Sequence, residues 1–330
     1  MKRAPAGLLT LGILLFIGVL ASQGLPNVLA TFSLAGWGLP FVALFHLLPL
    51  LLDAAAIRVL FEGRAVRKPM RAAILARWAG ESASSLMPAG QLGGPVLMSR
   101  HLARGGMAVA EAAAAVTVST TLQTAAQILF ALLGVALLGV RSAHPEALRG
   151  AVMLASGLLA VQVGGFYFFQ RRGLFGWLMR AARRLSGGRD WSRWQIQADS
   201  IDRAVAETYA RRGPVAASFL ISLAGWLVGA GEVTLVLGLL RWQVSWSDAL
   251  MIESLGQAIR GAGFFIPGAL GVQEAGYLLL APLAGLPPDT ALALSLAKRA
   301  REVLLGIPGL LYLHLSERGR RRRQACNPVS

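Results

Sequence analysis

One cysteine, Cys326, stands near the end of the chain. A lone thiol excludes an internal disulfide and a cysteine-based metal centre. Histidine is scarce too: His46, His101, His144 and His314 lie far apart with no HExxH-like spacing. No metal, cofactor or catalytic residue is therefore expected. Charge is thin, at 15% of residues, and the 16 acids are outnumbered by 32 Lys and Arg. What fills the gap is apolar: 55% of the 330 residues are hydrophobic. Several apolar runs reach about 20 residues, the length that crosses a bilayer core as a helix. These properties exclude a soluble domain and point to an all-α polytopic membrane protein. The formal charge of +16 would suit nucleic acid, but the basic residues gather in a few connecting segments. No nucleic acid partner is expected.

Six full transmembrane helices are expected, near residues 7–23, 37–57, 108–139, 148–170, 214–240 and 289–315. Two further apolar segments, 76–102 and 247–280, are interrupted at their centres. Each holds a Glu-Ser pair, Glu81-Ser82 and Glu253-Ser254, followed by a helix-breaking tip. The first tip is Pro88, Gly90, Gly93 and Gly94; the second is Pro267, Gly268 and Gly271. Their arms run to about 10–16 residues, half a bilayer core, which predicts two re-entrant helical hairpins.

Lys and Arg set the orientation. Twenty-five of the 32 fall in the N-terminus, 58–77, at Arg100 and Arg104, in 171–212 and in the tail 318–323. By the positive-inside rule all of these are cytoplasmic, and so are both termini. The first half then reads helix, helix, hairpin, helix, and the second half repeats that order from the opposite face. The prediction is one integral domain, 1–330, built as an inverted-topology repeat of 1–140 and 145–318, with 171–213 as a basic cytoplasmic loop. "LARGGMAVAEAAAAVTV" after the first tip and "LAGLPPDTALALSLAK" after the second share a weak likeness. The N-terminus also has the composition of a signal peptide, but an uncleaved helix is preferred because it completes the repeat. Within the loop, Ile196, Ile201, Val205 and Tyr209 follow helical spacing among charged residues. They suit either a helix on the anionic inner leaflet or a solvated connector.

Charges at bilayer depth are costly and usually face a bundle interior. Glu81 has Arg77 one turn before it; Glu232 lies deep in the fifth span; Lys298, Arg299, Arg301 and Glu302 crowd the last. The candidate substrate or cavity residues are Glu81, Glu253, Arg260, Glu274, Arg299, Arg301 and Glu302, with Gln91 and Gln273. On the last span three cations meet one carboxylate, an excess that suits an anionic headgroup unless Glu253 or Glu274 cancels it. An ion-pair network that only locks hairpin to helix is the second reading of the same residues. Thr121, Gln123 and Gln127 supply uncharged polar partners, for which interhelical hydrogen bonds are the simpler role.

"ESASSLMPAGQLGG" with "LARGGM", and "FFIPGALGVQEAGYLLLAPLAGLPPDTALALSLAKRARE", resemble the flippase-like transmembrane domain of lysylphosphatidylglycerol synthases. The likeness covers most of the chain, and the second stretch is most similar to the hopanoid-biosynthesis-associated branch. It implies a bacterial inner-membrane protein that translocates lipids such as hopanoids, other isoprenoid lipids or anionic lipids. It departs from that branch at Pro95 and Ser119, where the branch often has acids. No counterpart of the synthases' soluble aminoacyl-transfer domain follows the last span, so lipid aminoacylation by this chain is not expected. The expected partners are a lipid substrate, anionic inner-leaflet lipids and lipid-biosynthesis enzymes. The rival readings are a non-transporting scaffold for such enzymes and a membrane-embedded lipid-modifying enzyme.

Overall fold

The computed structural model describes residues 17, 25–61, 69–87, 90–141, 146–185, 192–263 and 266–326. Among these the chain is helical, with no β-strand. Except for Ile17, the first expected span (7–23) lies outside them, as does Pro88. After the short α1 (Leu25–Ser33) comes α2 (Leu39–Arg58), with α3 (Met70–Leu86) and α4 (Gly90–Arg104) forming the first interrupted segment. The middle of the chain is α5 (Val109–Arg141), α6 (Glu146–Arg171), α7 (Leu174–Leu185), α8 (Ser192–Ala210) and α9 (Arg212–Leu239). The second interrupted segment is α10 (Trp246–Ala262) and α11 (Val272–Leu280), and α12 (Pro288–Cys326) closes the fold.

Gly36–Arg58, Val109–Gly139 and Arg212–Leu239 are long and apolar enough to cross a membrane. They coincide with three of the expected spans. Helices of 26 and 39 residues cover the expected spans 148–170 and 289–315. Leu44, Leu48, Leu129, Leu132, Leu220 and Leu311 stay exposed on α2, α5, α9 and α12. An outward apolar surface of this kind is stable against lipid, where every backbone polar group is already satisfied within a helix. The chain is an all-α membrane protein.

Both interrupted segments fold as hairpins, closed by small residues where the arms touch. A Cβ on Gly94 would stand 2.0 Å from Ser84 Oγ and 2.7 Å from the Gly80 carbonyl oxygen, so only glycine lets α4 approach α3 this closely. Gly93 and Gly94 thus lie inside α4 rather than at the break, which corrects the sequence expectation; the helix starts at Gly90. Gly94 serves packing, whereas a Cβ on Gly93 would meet no neighbouring atom within 4 Å. In the second hairpin Tyr277 covers Gly256, and Ile259 covers Gly276. There the break falls where expected: Pro267 opens a 3-10 turn, and Gly268 and Gly271 take positive φ of 63° and 77°. That left-handed backbone is open to glycine at little cost.

The two hairpins meet at their tips. A Cβ on Gly268 would stand 3.5 Å from the carbonyl oxygen of Ser85, near the end of α3. Two apolar cores flank this junction. One gathers Ile57, Phe61, Met98, Leu102 and Val116, with Val205 of α8. The other gathers Val42, Val233, Ile252, Tyr277, Leu294 and Ala297. Along α2 the first core begins at Ala54 and the second ends at Val42, leaving His46 and Asp53 between them.

Among its described residues the basic loop holds two helices, α7 and α8. Val205 is fully buried, and Tyr209 donates to Gln170 Oε1 at 2.9 Å, so the C-terminal half of α8 docks onto the bundle. Ile196, at 68% exposed, points away from it. Asp202 accepts from the backbone N–H groups of Phe175 and Gly176 and so caps α7. Beyond that cap Trp177 and Leu178 are exposed among Arg172, Arg180 and Arg184. The strongest amphipathic helix of the loop is therefore α7, ahead of the segment singled out from the sequence.

Candidate functional site

Seven residues separate His46 from Asp53, two helical turns, so both sit on one face of α2. Arg77 and Glu81 share a face of α3 by their four-residue spacing. Glu232 faces them from α9, Glu253 and Arg260 from α10, and Lys298 to Glu302 from α12. Five elements therefore deliver charge to one buried cluster, and α11 adds Glu274 beside them.

The pairing runs continuously across it. Arg77 holds Asp53 at 2.6 Å and Glu81 at 3.7 Å, and Gln123 also donates to Asp53. His46 places Nε2 at 2.9 Å from Glu81 and Nδ1 at 3.0 Å from Glu232. Arg301 reaches the same Glu232 oxygen at 2.8 Å and also lies against the His46 ring. Lys298, 2% exposed, holds both oxygens of Glu253 at 2.8 and 2.7 Å. Glu302 takes Arg260 at 2.6 Å and Arg299 at 3.1 Å, with Arg301 at 3.7 Å.

A second part of the cluster fixes the tip of hairpin two. Arg299 donates to the carbonyls of Gly268 and Ala269, left free by the helix break, and pairs with Glu274. Glu274 in turn accepts from the backbone N–H of Gly271, capping α11. Gln273 accepts from Arg260 and donates to Ser295. These groups satisfy the backbone N–H and C=O groups that the helix break leaves without helical partners.

The sequence candidates therefore sort into separate roles. Glu81, Arg301 and Glu302 line a crevice between α2, α3 and α12, together with His46, Leu50, Trp78, Ser82 and Leu305. It has room for about one water molecule. Glu274, Arg299, Gln273 and Arg260 secure the tip, and Glu253 is taken up by Lys298. Gln91 belongs to α4, but its side chain lies outside the described residues. Gln127 donates to the Gln257 carbonyl, and Thr121 accepts from Gln170, both interhelical bonds as expected.

The cationic excess expected on α12 is cancelled. Asp53, Glu81, Glu232, Glu253, Glu274 and Glu302 face Arg77, Arg260, Lys298, Arg299 and Arg301. Carboxylates thus exceed the permanent cations by one, and a protonated His46 balances the cluster. Sequence reasoning offers Glu253 and Glu274 as cancelling acids but does not bring in Asp53 of α2 or Glu232 of α9. His46 and Asp53 themselves were passed over, although a charge within an apolar run, as Asp53 is, is the signal that identified the others.

Comparison with curated proteins and with solved structures finds no match. A family model, the lysylphosphatidylglycerol synthase TM region, matches residues 6–309, so the chain belongs to that family and is a membrane protein of lipid metabolism or transport.

Proposed function

We propose that this chain is a lipid flippase of the bacterial inner membrane, moving a lipid across the bilayer without modifying it. One observation carries the reading: the crevice at the hairpin junction is amphiphilic. His46, Glu81, Arg301 and Glu302 offer a polar headgroup ionic and hydrogen-bonding partners, while Leu50, Trp78 and Leu305 offer an acyl or isoprenoid chain an apolar wall. Family membership supports it, as does the cost of keeping so many charges at bilayer depth. In this account both termini are cytoplasmic, the two hairpins enter from opposite faces as halves of an inverted repeat, and their tips meet near the midplane. Headgroup entry requires the crevice to widen, with α3 parting from α12 while ion pairs exchange for headgroup contacts. The balanced charge favours a headgroup without net charge, hydroxylated or zwitterionic, over an anionic one; a hopanoid or other isoprenoid lipid fits. The exposed Trp177 and Leu178 with the arginines of α7 rest on the anionic inner leaflet.

A second reading has its own support. Each charge of the cluster has a partner of opposite sign, so the network also serves as a lock holding hairpin to helix in a scaffold for lipid-synthesis enzymes. Proteoliposomes with a fluorescent zwitterionic phospholipid or a fluorescent isoprenoid lipid separate the two. The flippase reading expects wild type to expose inner-leaflet probe to a membrane-impermeant quencher. Arg301→Gln and Glu81→Gln should lose at least about tenfold in rate, roughly 1.4 kcal/mol of barrier, while remaining folded. Probe movement no faster than in protein-free vesicles would leave the scaffold reading standing.

A further inference from the structure

His46 is contested by two partners that require opposite things of it. Its Nδ1 stands 3.0 Å from Glu232 Oε2, a contact that is attractive only when Nδ1 carries a proton. The Arg301 guanidinium lies against that same nitrogen and can donate to it only when the proton is absent. Nε2, by contrast, faces Glu81 at 2.9 Å and is satisfied as a donor in both cases.

We propose that Nδ1 of His46 is a proton-binding site whose occupancy selects between Glu232 and Arg301 and so couples lipid movement to proton movement. The chemistry is one proton joining the Nδ1 lone pair; no other bond forms or breaks. Without it, imidazole accepts from Arg301, which ties α2 to α12. With it, imidazolium donates to Glu232 and repels the guanidinium, so the α2–α12 contact loosens. These are two of the crevice's three walls, and loosening α12 from α2 frees α12 to part from α3, the opening that translocation needs.

Every element around His46 contributes charge to this choice. Glu81, with Arg77 behind it, faces the ring from α3, and Glu232 faces it from α9. On α12 Arg301 touches the ring, Lys298 stands 3.8 Å from Glu232, and Glu302 holds Arg301. Asp53 lies two turns along α2 itself and is held by Arg77. Because the cluster's carboxylates exceed its permanent cations by one, the proton completes its neutrality. The crevice brings room for about one water to His46 and Glu81, which gives the proton a way in.

What the proton does rests on the flippase reading; where it binds does not, and the test separates the two. Nitrogen NMR on histidine-labelled protein in nanodiscs reads the ring directly. The signal is isolated by replacing His101, His144 and His314 with Gln, which leaves His46 as the one histidine. Both ring nitrogens should be protonated at the acid end of a pH 5 to 9 series and only Nε2 at the alkaline end. Glu232→Gln should move the midpoint down, and Arg301→Gln should move it up, each by about one pH unit or more. A single unchanging form across the series, or one common midpoint in both variants, would overturn the site. In proteoliposomes carrying a fluorescent phosphatidylethanolamine, a gradient of one pH unit should sustain up to about a tenfold difference of probe between leaflets. His46→Gln should reduce that ratio to one. Probe movement in wild type that ignores the gradient would overturn the coupling and leave the flippase standing. No movement in any condition would refute the flippase reading and the coupling with it, while the NMR result still decides the proton site.

Discussion

Replacing Lys298 by Met keeps the length of the side chain and removes its charge from a place 2% exposed to solvent. Glu253 then loses the ammonium that holds both its oxygens at 2.8 and 2.7 Å. It keeps only the Tyr277 hydroxyl at 3.2 Å and the Gln257 amide at 2.9 Å, two neutral donors for a buried anion. Breaking a buried pair on one side costs about 3–5 kcal/mol, because the remaining charge is uncompensated. Glu232 keeps Arg301 and His46 on its Oε2, while its Oε1 loses the Lys298 ammonium 3.8 Å away. Adding Glu253→Gln removes that orphaned charge, and the Gln oxygen still accepts from Tyr277. The double variant should therefore lie within about 1–2 kcal/mol of wild type and well above the single one. Denaturant unfolding in mixed micelles, followed by tryptophan fluorescence, measures all the variants. If the second substitution lowers stability further, by the sum of the two single effects, Lys298 and Glu253 are not the coupled pair described here.

Three further outcomes follow from the packing. Gly94→Ala places a methyl group against a backbone carbonyl that cannot move aside; it should cost about 1–3 kcal/mol, and Ser84→Ala should not rescue it, as micelle unfolding will show. Arg299→Met frees the carbonyls of Gly268 and Ala269, so hydrogen exchange across 266–271 should rise while α5 is unchanged. Replacing Trp177 and Leu178 with Ser should weaken contact of α7 with anionic vesicles. Brominated-lipid quenching of tryptophan fluorescence should fall accordingly; equal quenching in wild type and variant would remove α7 from the leaflet.

Much of the fold was legible because membrane physics acts on single segments. Gly36–Arg58, Val109–Gly139 and Arg212–Leu239 declare themselves by length and apolar content alone. The second hairpin tip was readable because Pro267, Gly268 and Gly271 carry their backbone preference with them. Gly94 misled for the converse reason: a glycine that opens a turn and one that admits a neighbouring helix look alike until the neighbour is placed. Charge showed the same limit. Lys298 to Glu302 pointed to a buried site, but its neutrality depends on Glu232, Glu253 and Asp53, which only tertiary packing brings within reach. His46 was dismissed for lacking metal-ligand spacing, though its partners Glu81 and Glu232 lie 35 and 186 residues away.

The central claim is that lipid passes where α3 parts from α12, and a staple across that seam tests it most directly. A Cβ on Gly309 would stand 2.9 Å from Ser82 Cβ, so a small outward shift reaches the roughly 3.5–4.5 Å that a disulfide spans. Ser82→Cys with Gly309→Cys, in a Cys326→Ser background, should form that bond under mild oxidation. Translocation of fluorescent lipid in proteoliposomes should stop when the staple is oxidised and return when it is reduced. Equal rates in the two states would show that lipid crosses without this seam opening.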